Sequence, residues 1–166
     1  MKSAPGLVLL LASSAALTTV AVSPAVLELH GLRSTPPIPF SAPEAAGLDA
    51  VRVVHPAAAK AGGEKLAVTA VAFPKDSGMT DVELLEYVKT TFLGTSAPGT
   101  KVVRTFLGRE VAGQALERKV PAPSLAEVYV LTKKGGDKVV LAFVFVPDFE
   151  EKAVPAIAGT AATMAE

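Results

Sequence analysis

Residues 125–146 read "LAEVYVLTKKGGDKVVLAFVFV", two runs rich in β-branched and aromatic residues around a "KKGGDK" centre. Gly135 and Gly136 tolerate positive φ at the reversal, so this stretch predicts a long antiparallel hairpin. Pro147 stops its second strand. A hairpin this apolar cannot stand alone in water, and it commits the chain to a sheet with a covered face. The 166 residues, half of them hydrophobic, hold enough apolar material for one domain with a substantial core.

The cover is legible on either side. "TDVELLEYVKTTFLG" predicts a helix in which Thr80 caps the N-terminus and Glu83 completes a capping box. Val82, Leu85, Val88 and Phe92 follow helical spacing, and Gly94 ends the helix. At the C-terminus, Asp148 stands where a cap is needed, Glu150 and Glu151 suit the positive end of a helix dipole, and Val154, Ile157, Ala161 and Met164 make a narrow apolar stripe. Pro155 either falls in the first turn, where its missing amide costs nothing, or delays the start of the regular helix until near Val154.

The remaining strands are "DAVRVVHP", ended by Pro56; "KLAVTAVAF", apolar on both sides and therefore central; and "KVVRTFLG" with "REVAGQALERKV", joined tightly at Gly108. In the last of these, Val111, Gly113, Ala115 and Glu117 do not form one clean apolar face. The expected fold class is α+β, an antiparallel β-sheet covered by helices.

Ahead of the domain, residues 1–25 have one positive charge, an apolar centre "GLVLLLA" and small residues suited to cleavage after Ala21 or Ala25. This is the layout of a secretory signal peptide, and it predicts an exported protein, periplasmic or secreted. The competing reading is an uncleaved anchor, since Gly6 to Leu27 carries no charge. A membrane association is expected only in that case. Residues 26–48, with four prolines, read as a lead-in with one possible short strand at Leu27 to Leu32, and residues 49–166 as the single domain.

The chain from "VRVVHP" to its end resembles the PsbP-like superfamily. The likeness is carried by "TDVELLEYVKTTFLG", by "GREVAGQALERKV" with Gly113 at its middle, by "AEVYVLTKKGGDKVVLAFVFV" and by the final helix. It implies an α/β/α sandwich and a small exported domain that binds a partner without chemistry of its own. Members often carry a proline followed by a glycine–tryptophan pair, where this chain has "PEAAGLD" and no tryptophan, so no functional residue carries over.

The formal net charge is zero, and loss of Lys2 with the signal changes it by a single unit, so a nucleic-acid partner is not expected. The absence of cysteine removes disulfides, thiol catalysis and Cys-ligated metals. His30 and His55 are isolated from other ligand types, and His55, ahead of Pro56, reads as a strand-end histidine bonded to backbone. No nucleophile elbow, phosphate loop, zincin or calcium-loop motif occurs, so neither a cofactor nor an enzymatic activity is expected. An active site assembled from scattered residues would leave no such motif. Arg104, Arg109, Arg118, Lys133 and Lys134 are the candidates for an anion-binding patch, together with Lys119. Their interleaving with Glu110, Glu117 and Glu127 equally fits cross-strand charge pairs on a solvated face. The expected function is an exported binding or accessory domain for an unknown protein partner. The alternative is a carrier of a small apolar ligand such as a lipid, motivated by the apolar strands "KLAVTAVAF" and "VVLAFVFV".

Overall fold

The computed structural model describes residues 25–57, 63–120 and 122–166. The segment read as a signal peptide, apart from Ala25, lies outside the described residues, as do residues 58–62.

The strands are β1 (Leu27–Leu29), β2 (Leu32–Ser34), β3 (Glu44–Gly47), β4 (Ala50–Val54), β5 (Leu66–Phe73), β6 (Thr100–Phe106), β7 (Arg109–Arg118), β8 (Ser124–Thr132) and β9 (Lys138–Phe145). Helix α1 (Asp81–Phe92) follows β5, and α2 (Glu150–Ala162) follows β9 through a 3-10 turn, Pro147–Phe149. Seven strands form one antiparallel sheet in the order β3-β4-β5-β9-β8-β7-β6, while β1 and β2 make a separate small hairpin. The predicted β8–β9 hairpin pairs from Leu125↔Phe145 to Thr132↔Lys138, and β9 pairs along its whole length with β5. The fold is thus a mixed α/β arrangement, an antiparallel sheet with helices packed on it.

Alternation along the strands sends two sets of side chains to opposite faces. On one face Leu66, Val68 and Ala70 of β5, Tyr129 and Leu131 of β8, and Leu141, Phe143 and Phe145 of β9 pack with Ala153, Ile157 and Ala161 of α2. On the other, Val71, Val128, Val140 and Ala142 pack with Leu84, Leu85 and Val88 of α1. Both faces of β5 and β9 are therefore buried, which explains their near-continuous apolar runs.

The capping box of α1 forms as its spacing predicts: Thr80 Oγ1 accepts from the Glu83 N–H at 3.3 Å, and the Thr80 N–H donates to Glu83 Oε2 at 2.7 Å. The helix rolls relative to the expected stripe, however. Val82 is 71% exposed, while Leu84 and Lys89 are buried.

Three expectations need correction. The segment 26–48 is not a lead-in outside the domain, because Leu27, Leu29 and Leu32 belong to the core on the α2 face. Arg33 and Ala165 exchange both backbone hydrogen bonds at 2.8 Å, and Ser34 Oγ donates to the Thr160 carbonyl at 2.8 Å. The prolines punctuate a segment whose leucines alternate around a turn, with His30 and Gly31 both at positive φ. His30 itself is placed, with Nε2 3.2 Å from the Ala70 carbonyl oxygen. The second correction concerns Asp148, which makes no capping hydrogen bond; the 3-10 turn starting at Pro147 precedes α2 and occupies the place of a side-chain cap. Pro155 is the third correction: α2 already starts at Glu150, so the proline lies inside the helix and beyond its first turn, on the exposed side, where water reaches the carbonyl it leaves free.

Candidate functional site: a cleft between two strands

The β6–β7 hairpin turns through Leu107 and Gly108, both at positive φ, and pairs in unbroken register from Phe106↔Arg109 to Thr100↔Ala115. Its other side behaves differently. β7 pairs with β8 from Arg118↔Ser124 only as far as Gln114↔Val128, and Arg109 to Gly113 have no ladder partner on β8. The first half of β7 therefore parts from the second half of β8.

The parting begins at Gly113. A Cβ built there would lie 2.5 Å from Tyr129 Cδ1 and closer still to the Val128 carbonyl oxygen, so only glycine admits this approach. The Tyr129 ring is fixed from its far end: Oη donates to Glu127 Oε2 at 2.6 Å. Glu127 in turn accepts two bonds from Arg104 on β6, Nε to Oε2 at 2.7 Å and Nη2 to Oε1 at 2.6 Å. Both partners of this bidentate pair are largely buried. The Glu127 carboxylate holds the Arg104 guanidinium more firmly protonated, outweighing the opposing effect of burial. Burial, reinforced by the same carboxylate, pushes the Tyr129 hydroxyl well above its ordinary value. Arg104 is thus an internal strut across three strands.

On the opposite face the parting opens as a groove of about 700 Å³. One wall is Asp81, Val82 and Leu85 of α1; the floor is Glu110, Ala112 and Gln114 of β7 with Val130 and Thr132 of β8. Its closed end is tied by Lys89, only 1% exposed, whose Nζ donates to Glu86 Oε1 at 2.8 Å and Gln114 Oε1 at 3.1 Å. At its mouth Arg109 Nη2 donates to the Thr132 carbonyl. Asp81, on the α1 wall, is ion-paired with Lys138.

The Thr132 and Val128 carbonyls both point toward β7, so alternation places the main-chain groups of Val130 in the same row. On β7, the residues closing the hairpin fix Arg109 and Val111 as bonded to β6, which leaves the N–H and C=O of Glu110 and Ala112 directed at the cleft. The cleft is therefore edged on both sides by strand backbone without a ladder partner. Such edges recognise an extended main chain by hydrogen bonding, whatever its side chains.

The basic residues singled out in the sequence do not gather into one patch. Arg104 turns inward to Glu127. Arg109 and Lys134 share a smaller groove with the Glu166 carboxylate, which accepts from the Lys134 N–H at 2.9 and 3.0 Å. Lys133 Nζ donates to the His30 carbonyl at 3.0 Å. Arg118 lies at the far end of β7, its Nε buried without a partner, and burial lowers its pKa. His55 does bond to backbone, with Nδ1 2.9 Å from the Pro39 carbonyl oxygen, and stacks on Phe149. Among the described residues no cluster of three or more metal-ligating side chains is present, and no helix is long and apolar enough to cross a membrane. Sequence reasoning missed the cleft residues Glu110, Ala112, Val130 and Thr132; the one signal for them was a glycine inside a strand.

No family model matches the chain, and no curated protein matches it. A crystal structure from Bacteroides thetaiotaomicron VPI-5482 at 1.50 Å resolution is similar to it, with a TM-score of 0.49 and 10% sequence identity. The match covers 81% of this chain and 44% of that one, so the chain spans less than half the length of the solved structure.

Proposed function

We propose that the protein is an exported, non-enzymatic binding or accessory domain whose contact surface is the cleft between β7 and β8, receiving an extended segment of a partner polypeptide. The observation that carries this reading is the backbone of Glu110 and Ala112, without a ladder partner, facing that of Val130 across one groove whose mouth is marked by the Thr132 carbonyl that Arg109 holds. Strand edges buried in a well-formed sheet are normally paired, and an unpaired pair of edges beside a groove fits main-chain recognition. Export rests on the N-terminal signal layout, and the PsbP-like likeness adds the expectation of an accessory role. An antiparallel sheet with a helix on each face is compatible with that likeness.

The apolar-ligand alternative drew on the apolar strands β5 and β9. Their side chains are buried on both faces against α1, α2 and the β1–β2 hairpin, so that motive has less to stand on.

The test is a titration of the isotope-labelled protein with a pool of extended peptides, followed by amide resonances. Shifts centred on Glu110, Ala112, Val130 and Thr132, abolished by Ala112→Pro, are expected. Shifts confined elsewhere, or binding untouched by that substitution, would remove the cleft from the proposal. Lipid co-purifying in native mass spectrometry would favour the carrier instead. N-terminal sequencing of the exported protein tests the signal.

A further inference from the structure

β6 forms one end of the seven-stranded sheet, with β7 as its neighbour and no strand beyond it among the described residues. Because the two-residue turn makes Phe106 and Arg109 the closing hydrogen-bonded pair, Arg104 and Val111 form the next. The main-chain N–H and C=O of Lys101, Val103 and Thr105 therefore point away from β7. Their side chains stand exposed on the face opposite α2, as do those of Glu110 and Ala112 beside them, and Val103 is 46% exposed. A strand edge of this kind is a template for pairing.

We infer that β6 pairs with β6 of a second copy of this chain, antiparallel about a two-fold axis through Val103. In that register Val103 lies opposite the partner's Val103, and Lys101 opposite the partner's Thr105. All of these residues have outward main-chain groups, so each pair exchanges both of its backbone hydrogen bonds. The rows on the exposed face are then self-complementary. The central row runs Ala112, Val103, the partner's Val103 and the partner's Ala112, an apolar strip closed by the contact. The rows beside it run Glu110, Thr105 and the partner's Lys101, with the reciprocal row on the other side of the axis. Glu110 and the partner's Lys101 stand two strand spacings apart, about 10 Å at their Cα atoms, a gap their two side chains together span across threonine. Neither Lys101 nor Glu110 has an ion-pair partner among the described residues. The charges thus fix both the direction and the register of pairing, the use to which charged pairs at isologous contacts are put. The paired backbone lies on the edge of the hairpin away from the cleft, but Lys101, Glu110 and Ala112 also line the cleft, so self-association and not peptide binding is the readout that decides the inference.

The test is sedimentation velocity of the purified protein across a concentration series. Wild type is expected to sediment at twice the chain mass at the upper concentrations. Val103→Pro removes an outward N–H while leaving the β6–β7 ladder its bonds, and is expected to give a monomer with an unaltered circular dichroism spectrum. Lys101→Glu sets like charges against each other in both reciprocal rows and is expected to weaken self-association about tenfold; adding Glu110→Lys restores it. A wild-type monomer throughout the series would overturn the inference and leave Lys101 as a charge that keeps the edge single. So would dimerisation that survives Val103→Pro, or a reversed charge pair that fails to restore what Lys101→Glu loses. Should the proline variant misfold, the charge-reversal set decides alone.

Discussion

The aromatic ring of Tyr129 occupies the space a side chain at Gly113 would need: a Cβ there would sit 2.5 Å from Cδ1 and 2.6 Å from Cε1. The ring cannot yield, because its hydroxyl is held by Glu127 at 2.6 Å. Gly113→Ala is therefore expected to destabilise the protein by about 3 kcal/mol, the upper range for overpacking against backbone and a fixed ring. Chemical denaturation measures it. A change within 0.5 kcal/mol, roughly the range of an ordinary surface substitution, would mean that β7 shifts freely against β8.

Tyr129 carries a pH dependence of its own. Its folded pKa is raised above the ordinary 10.0, so the protonated hydroxyl is favoured by folding. That contribution is fully present below the unfolded value and is lost as pH rises through the folded one. Thermal stability should fall as pH is raised past 10.0, and Tyr129→Phe should flatten this decline while costing about 1 kcal/mol at neutral pH for the lost hydrogen bond.

Breaking the Arg104–Glu127 pair from one side leaves its partner charge buried. Glu127→Ala is expected to cost about 3 kcal/mol by urea unfolding, since the guanidinium loses both of its carboxylate contacts. Replacing Arg104 and Glu127 together with Met and Leu should cost clearly less than the single change. A double variant as unstable as Glu127→Ala would show that geometry, not charge, is what the pair supplies.

Glu83 titrates in the opposite sense. The Thr80 N–H, and then its hydroxyl, hold the carboxyl below its ordinary 4.5, so folding favours the carboxylate. That stabilisation is present above the unfolded value and disappears as pH falls through the folded one. Wild type and Glu83→Ala should differ in amide protection at the start of α1 at neutral pH. The difference should close as pH drops below 4.5; one that persists into strong acid would assign it to helix propensity.

The C-terminal helix separates two neighbours in sequence. Asp148 is exposed and makes no cap, so Asp148→Ala should change stability by less than about 0.5 kcal/mol. Phe149, buried against His55 with its ring under Lys65 Nζ, should cost about 3 kcal/mol when truncated to alanine. Equal losses at the two positions would restore a capping role to the aspartate.

What the sequence made legible was whatever local rules decide. The β8–β9 hairpin, the capping box at Thr80 and Glu83, the central place of β5 and the His55 backbone bond all follow from periodicity, turn residues or a single neighbour. What it hid depends on groups far apart in the chain. Leu27, Leu29 and Leu32 are buried because α2, more than a hundred residues later, covers them. Arg104 resembled a surface cation until Glu127 and Tyr129 arrived beside it, and Gly113 is needed because the Tyr129 ring and the Val128 carbonyl of β8 come so close to it. Lys89, polar and on a helix, is buried because Gln114 of β7 meets its ammonium.

The mutual hydrogen bonds of Arg33 and Ala165 also govern the order in which this fold can be completed. The first hairpin waits for the last residues, and β5 waits for β9, its neighbour at the sheet's centre. A chain emerging N-terminus first from a ribosome therefore has no finished core to lock until its C-terminal end is free. Long-range closure of this kind slows folding, and it leaves the early strands without their partners for as long as the last residues are still to come.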